Sequence, residues 1–131
     1  MDALIGRKLL KVERLGWHQD GELDDRSVGP VHFVFEEDLG LFLAGRSDWS
    51  LELVGTHPGD RAWLDAYDYD WYGSRWMLRD ASDEVPFASV LAKRLIALEP
   101  VLNQVDELIG LELDVDGEAL TLKTWEGEVS T

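Results

Sequence analysis

The chain has 131 residues, with 27 Asp and Glu against 12 Lys and Arg, for a formal charge of −15 at pH 7. A negative field of that size repels nucleic acid and anionic membranes and attracts basic proteins, metal ions or cationic ligands. Cysteine is absent, which excludes disulfide staples and thiolate metal sites.

A chain of this length with a hydrophobic share of 45% fills one core, so a single domain over 1–131 is expected. The charge is uneven: residues 1–14 carry a net +2 and the remainder −17. The opening Met-Asp-Ala-Leu-Ile-Gly-Arg-Lys lacks the basic-then-apolar order of a leader peptide, and no apolar run approaches about 18 residues. These features point to a soluble cytoplasmic protein.

In chain order, Leu4 to Leu15 reads as a first strand, with Leu10 and Val12 on one face and Leu9, Lys11 and Glu13 on the other. Gly16 and the polar run from Gln19 to Asp25 break the pattern and read as a solvated acidic turn. Val31–Phe35 and Leu39–Ala44, separated by Glu36-Glu37-Asp38, predict a hairpin that pairs Phe35 with Leu39 and Phe33 with Leu41. Both faces of that hairpin are largely apolar, so its strands belong mid-sheet with a layer on each side. Trp49–Val54 alternates as another strand, Thr56–Asp60 is loop, and Arg75–Arg79 supplies a further strand.

Asp80 to Pro86 has the composition of a helix entry, and Phe87, Val90, Leu91, Leu95 and Leu98 recur at helical spacing until Pro100. The prediction is one main helix over residues 86–99, held by packing on the sheet. Leu108–Val115, the Asp116-Gly117 turn and a return strand through Leu120 and Leu122 predict a final hairpin pairing Leu113 with Leu120 and Leu111 with Leu122. The expected fold class is therefore α+β, a hairpin-rich antiparallel sheet with one helix packed on it.

The stretch from Trp63 to Asp80 departs most from core-and-surface patterning. It sets Tyr67, Tyr69, Trp71, Tyr72 and Trp76 among Asp65, Asp68, Asp70 and Asp80. If extended, its rings line one face and its carboxylates the other; if looped, both reach solvent together. Trp63, Trp76 and Trp125 also fit a structural role, because Trp in a small domain is usually well buried.

Catalytic and metal signatures are missing. Asp68 to Gly73 imitates the opening of a calcium loop, but Arg79 stands where the bidentate Glu is required. His18, His32 and His57 lie on separate segments without ligand spacing. There is no nucleophile elbow and no phosphate loop, and no cofactor is expected. Asp68 and Asp70 remain the carboxylates an enzyme reading would use, with a metal or small ligand.

With those residues in view, the chain resembles the small acidic immunity proteins encoded beside bacterial polymorphic or contact-dependent toxins. The likeness rests on short length, lack of cysteine, acidity, a hairpin-rich sheet and the Tyr/Trp/Asp segment from Asp65 to Trp76. It implies a protein-binding module that blocks a basic partner such as a toxin domain. The partner-binding residues would be Asp65, Tyr67, Asp68, Tyr69, Asp70, Trp71, Tyr72 and Trp76. Two other readings stay open: a small enzyme using Asp68 and Asp70, and a homo-oligomeric structural domain, with a homodimer its simplest form.

Overall fold

The computed structural model describes residues 2–25, 27–46, 48, 50–57, 61–125 and 128–131, and of Asp2, Trp71 and Trp125 only the backbone. The expected strand start at Trp49 and the loop at 58–60 lie outside the described residues. The described residues form eleven strands: β1 (Leu9–Gln19), β2 (Glu22–Leu23), β3 (Val31–Phe35), β4 (Leu39–Gly45), β5 (Leu51–Thr56), β6 (Asp70–Trp71), β7 (Ser74–Asp80), β8 (Leu95–Leu102), β9 (Leu108–Val115), β10 (Glu118–Trp125) and β11 (Glu128–Ser130). One antiparallel sheet runs β5-β4-β3-β1-β7-β6, with β2 paired to β1; the second runs β11-β10-β9-β8.

The two sheets face each other across a shared core. Leu9, Val12, Val31, Phe33, Phe35, Leu41 and Leu43 come from the first sheet, and Leu95, Leu111, Leu113, Val115, Leu120, Leu122 and Val129 from the second. Each such side chain, fully buried, contributes roughly 1.5–3 kcal/mol. Backbone bridges close two corners between the sheets, Lys8 with Arg94 and Val28 with Ser130. Both predicted hairpin registers hold: Phe35 pairs with Leu39, Phe33 with Leu41, Leu113 with Leu120 and Leu111 with Leu122.

The α+β expectation is overturned. Residues 86–99 form no α-helix; they contain a 3₁₀ turn at Ala88–Val90 and the start of β8. Ala92 takes φ +64°, which a helix cannot continue through. The backbone from Ala92 to Leu95 is instead bonded to Gly6–Leu9: Ala92 N–H donates to Leu9 O, Leu9 N–H to Lys93 O, and Leu95 N–H to Arg7 O.

The helical spacing has a β-sheet origin. The register of β8 on β9 shifts between Leu95 and Ala97, so Leu95 faces Val115 and Leu98 faces Leu113. The extra residue, Ile96, is 51% exposed. A bulge turns the two-residue repeat of a strand into a three-residue step, and that step imitates one face of a helix.

The same device corrects the first strand. Its register against β3 shifts between Leu9 and Lys11, so Leu9 and Val12 both face the core and Leu10 is left 52% exposed. Nor does Gly16 end this strand, which continues to Gln19 and turns through Asp20-Gly21, both at positive φ, into β2. The acidic run is thus partly a short hairpin of its own, closed by a two-residue turn.

The outer face of the first sheet is also covered, by rings. The 3₁₀ segment Ala62–Tyr67 lies over it, placing Trp63 4.5 Å from the His32 ring and 4.7 Å from Phe42. Beneath lies a buried polar knot. His32 Nδ1 is 3.1 Å from Glu13 Oε1 and its Nε2 is 2.7 Å from Thr56 Oγ1. Gly40 is the residue that admits this arrangement, because a β-carbon there would collide with Thr56 Oγ1. Arg61 donates to both Glu13 oxygens and Lys11 Nζ stands 3.6 Å away. Burial opposes the Glu13 charge, but the hydrogen bonds from His32 and Arg61 and the charges of Arg61 and Lys11 outweigh it and hold the pKa below the usual carboxylate range. Burial pulls His32 down, more than the Glu13 carboxylate lifts it.

Two outcomes test these assignments. Leu95→Ala should cost about 2–5 kcal/mol in urea unfolding, whereas Ile96→Ala should stay within about 0.5 kcal/mol; equal costs would contradict the bulge. For His32, the folded state binds its proton less readily than the unfolded chain, so stability is full above the ordinary value of 6.5 and declines as pH falls below it. Glu13 adds a loss of the same sign below its ordinary 4.5. Melting temperature measured against pH should therefore drop on acidification, and His32→Gln should flatten the first part of that decline.

Candidate functional site

The rings on the outer face form one continuous series. From Trp63 the contacts pass to Phe42, then Tyr67 at 6.0 Å, Trp76 at 5.7 Å, Trp17 at 5.4 Å, and finally Tyr69 at 6.2 Å. All five are edge-on or tilted, the arrangement the aromatic quadrupole favours. Trp17 and Trp76 are cross-strand partners in β1 and β7, which is what brings them together. Trp76 Nε1–H donates to the Tyr69 hydroxyl at 3.0 Å, fixing the last ring where the chain leaves the 3₁₀ segment.

The series ends in a cleft of about 360 Å³ lined by Trp17, Tyr69, Trp76, Val28, Asp24, Asp25 and Glu128. Three carboxylates from two separate segments thus surround one aromatic surface. Asp25 is held in place by Ser27, whose N–H and hydroxyl both donate to its Oδ1, at 2.9 and 2.8 Å. Those bonds keep its pKa below the usual range. Glu128 is half-buried, and burial lifts its pKa. Its backbone pairs with Trp125, but its carboxylate makes no ion pair or hydrogen bond among the described residues. Tyr67, behind Trp76, is pushed up to about 12 by burial, with the negative charges of Glu128 and Glu52 adding to it.

Arg14 frames the cleft from below. It is 1% exposed, and burial draws its pKa down to about 10, so it stays charged at neutral pH. Its Nη2 donates to Ser27 O at 2.7 Å and Val129 O at 3.0 Å, and its Nη1 to Thr131 Oγ1. One guanidinium therefore ties the backbone beside Asp25 to the backbone beside Glu128.

The predicted partner-binding residues divide. Tyr69 and Trp76 line the cleft, and Tyr67 backs it. Tyr72 stands 93% exposed at the tip of the β6–β7 hairpin, in a left-handed turn with Gly73. Asp65 and Asp68 are exposed and lie outside the cleft lining. Asp70 is exposed too, and its Oδ1 accepts the Gly73 N–H, a turn-forming bond. The side chain of Trp71 lies outside the described residues.

Asp68 and Asp70 are not joined by a third ligand: among the described residues no group of three or more His, Asp or Glu is placed to hold a metal ion. Arg79, at the twelfth position of the calcium-like segment, forms a two-pronged ion pair with Glu84. Sequence reasoning missed Trp17, Asp24, Asp25 and Glu128 as site residues. The acidity of the run ending at Asp25 was the available signal, but a return to Trp17 through the short β1–β2 hairpin is invisible until pairing is known.

No protein-family model, no curated protein and no solved structure matches the chain. Among the described residues no helix is long and apolar enough to cross a membrane.

Arg14 supplies the test of how the cleft is held. Arg14→Met removes one donor from each of two backbone carbonyls, Ser27 O and Val129 O, which keep the N–H groups of Thr131 and Gly29. The loss is that of two hydrogen bonds from a charged donor, about 1.5–3 kcal/mol each. Urea unfolding should show a loss of at least about 2 kcal/mol by that reckoning, and a smaller loss would mean that Arg14 does not clamp the two segments.

Proposed function

We propose that the chain is an acidic protein-binding module that neutralises a basic partner, in the manner of an immunity-type inhibitor masking a toxin domain. The observation that carries the reading is the cleft, in which Trp17, Tyr69 and Trp76 meet Asp24, Asp25 and Glu128. Aromatic anchors rimmed by charge are the residue types that dominate protein-interface energetics. The formal charge of −15 supplies long-range attraction for a cationic surface. Tyr69, 48% exposed, and Tyr72, 93% exposed, offer ring area to a partner without further unfolding. The toxin-inhibitor form of the reading comes from the resemblance in composition and patterning, and it assigns the protein to the cytoplasm.

The reading is tested by screening cationic proteins, beginning with any toxin domain encoded beside the gene. Association with the right partner should be fast at low salt and slow by roughly tenfold or more as ionic strength reaches physiological levels. Tyr69→Ala should weaken the complex by roughly tenfold or more while the fold persists. A screen in which no basic protein binds at micromolar concentration would refute the proposal.

A further inference from the structure

We infer that the cleft is a receptor for one arginine side chain of the basic partner, its guanidinium lying against the Trp17–Tyr69–Trp76 surface and donating to Glu128 and Asp25. This rests on the binding-module reading and names the group that the cleft selects.

The geometry discriminates between cations. The three rings touch one another, Trp17 meeting Trp76 at 66° and Tyr69 at 46° with centroids 5.4 and 6.2 Å apart, so they present an angled apolar wall made of separate ring faces. A flat, delocalised, weakly hydrated cation gains most from such a wall, because it can lie along ring faces at little desolvation cost. An ammonium group is compact and strongly hydrated, and it meets a wall at a single point.

The carboxylates point the same way. Asp24 and Asp25 come from the segment after β2 and Glu128 from β11, so acceptors approach from two sides. A guanidinium carries five N–H donors in a fixed fork and can serve acceptors that diverge. Asp25 is already oriented by Ser27 through Oδ1, leaving Oδ2 without a bond to a described residue. Glu128 is half-buried and without a counter-ion among the described residues, a costly state that an incoming cation relieves. Arg14 is already buried below the cleft, but its Nη groups are engaged with the Ser27 and Val129 carbonyls and the Thr131 hydroxyl.

The test uses the full chain and two pentapeptides of equal charge, Gly-Arg-Gly-Arg-Gly and Gly-Lys-Gly-Lys-Gly, followed by the NMR signals of the indole N–H groups. The arginine peptide should give saturable shifts centred on Trp17 and Trp76, and the lysine peptide should bind roughly tenfold more weakly. Glu128→Gln, nearly isosteric, and Tyr69→Ala should each weaken arginine-peptide binding severalfold with the melting temperature of each variant recorded as a check on folding. Equal affinity for both peptides, or shifts confined to other indoles, overturns the arginine assignment. If a basic partner protein binds and the arginine peptide does not move Trp17 or Trp76, the assignment fails while the module reading stands. If neither peptide nor any basic protein binds, both fail together.

Discussion

A β-strand that is apolar on both faces needs two covers, and β3 and β4 impose that demand on this molecule. Phe33, Phe35, Leu41 and Leu43 turn toward the second sheet, while His32 and Phe42 turn the other way. The second sheet meets the first demand with its own alternating strands. The other is met by the Ala62–Tyr67 segment and the side chains that follow it, a layer one ring thick. Because that layer must reach from Phe42 across to β7, it runs out at a sheet margin, and the cleft lies where it ends. The candidate site is thus a by-product of how the central hairpin is sealed.

Two adjacent residues of β1 carry buried charges to opposite sides of the same sheet. Glu13 faces the ring layer and is satisfied by His32, Arg61 and Lys11. Arg14 faces the other way; its Nη groups donate to Ser27, Val129 and Thr131, while its buried Nε has no partner among the described residues. A buried charge depends on the bonds it does make. Each therefore fixes the segments that supply those bonds: Glu13 the approach of the 3₁₀ segment, and Arg14 the approach of the C-terminal strand to the segment after β2.

Short-range pairing was legible in the chain. Glu36-Glu37-Asp38 and Asp116-Gly117 announce their hairpins, and alternation of Leu111, Leu113, Leu120 and Leu122 sets the register. The stretch 86–102 was not legible, because a bulge at Ile96 gives Leu95 and Leu98 the spacing of a helix, and what distinguishes the two is the left-handed turn at Ala92, the backbone bonds to Gly6–Leu9 and the pairing with β9. For the site, Tyr69 and Trp76 stood out as aromatic density, whereas Trp17 and Glu128 join them only through pairing across β1–β7 and closure of the corner at Ser130. Composition identified the ring-bearing strand and could not identify what faces it.

The order of strands has a consequence for how the molecule assembles. The middle strand, β1, finds β3 a short distance along the chain, but its other neighbour, β7, begins at Ser74, and the more distant of the two carbonyls bonded to Arg14 belongs to Val129. Closing such long loops is entropically unfavourable before the contacts exist to offset it, so folding time grows with their span. The interior cation can thus reach its Ser27 acceptor within a short loop, whereas its bonds to Val129 and Thr131 close only when the final strand docks.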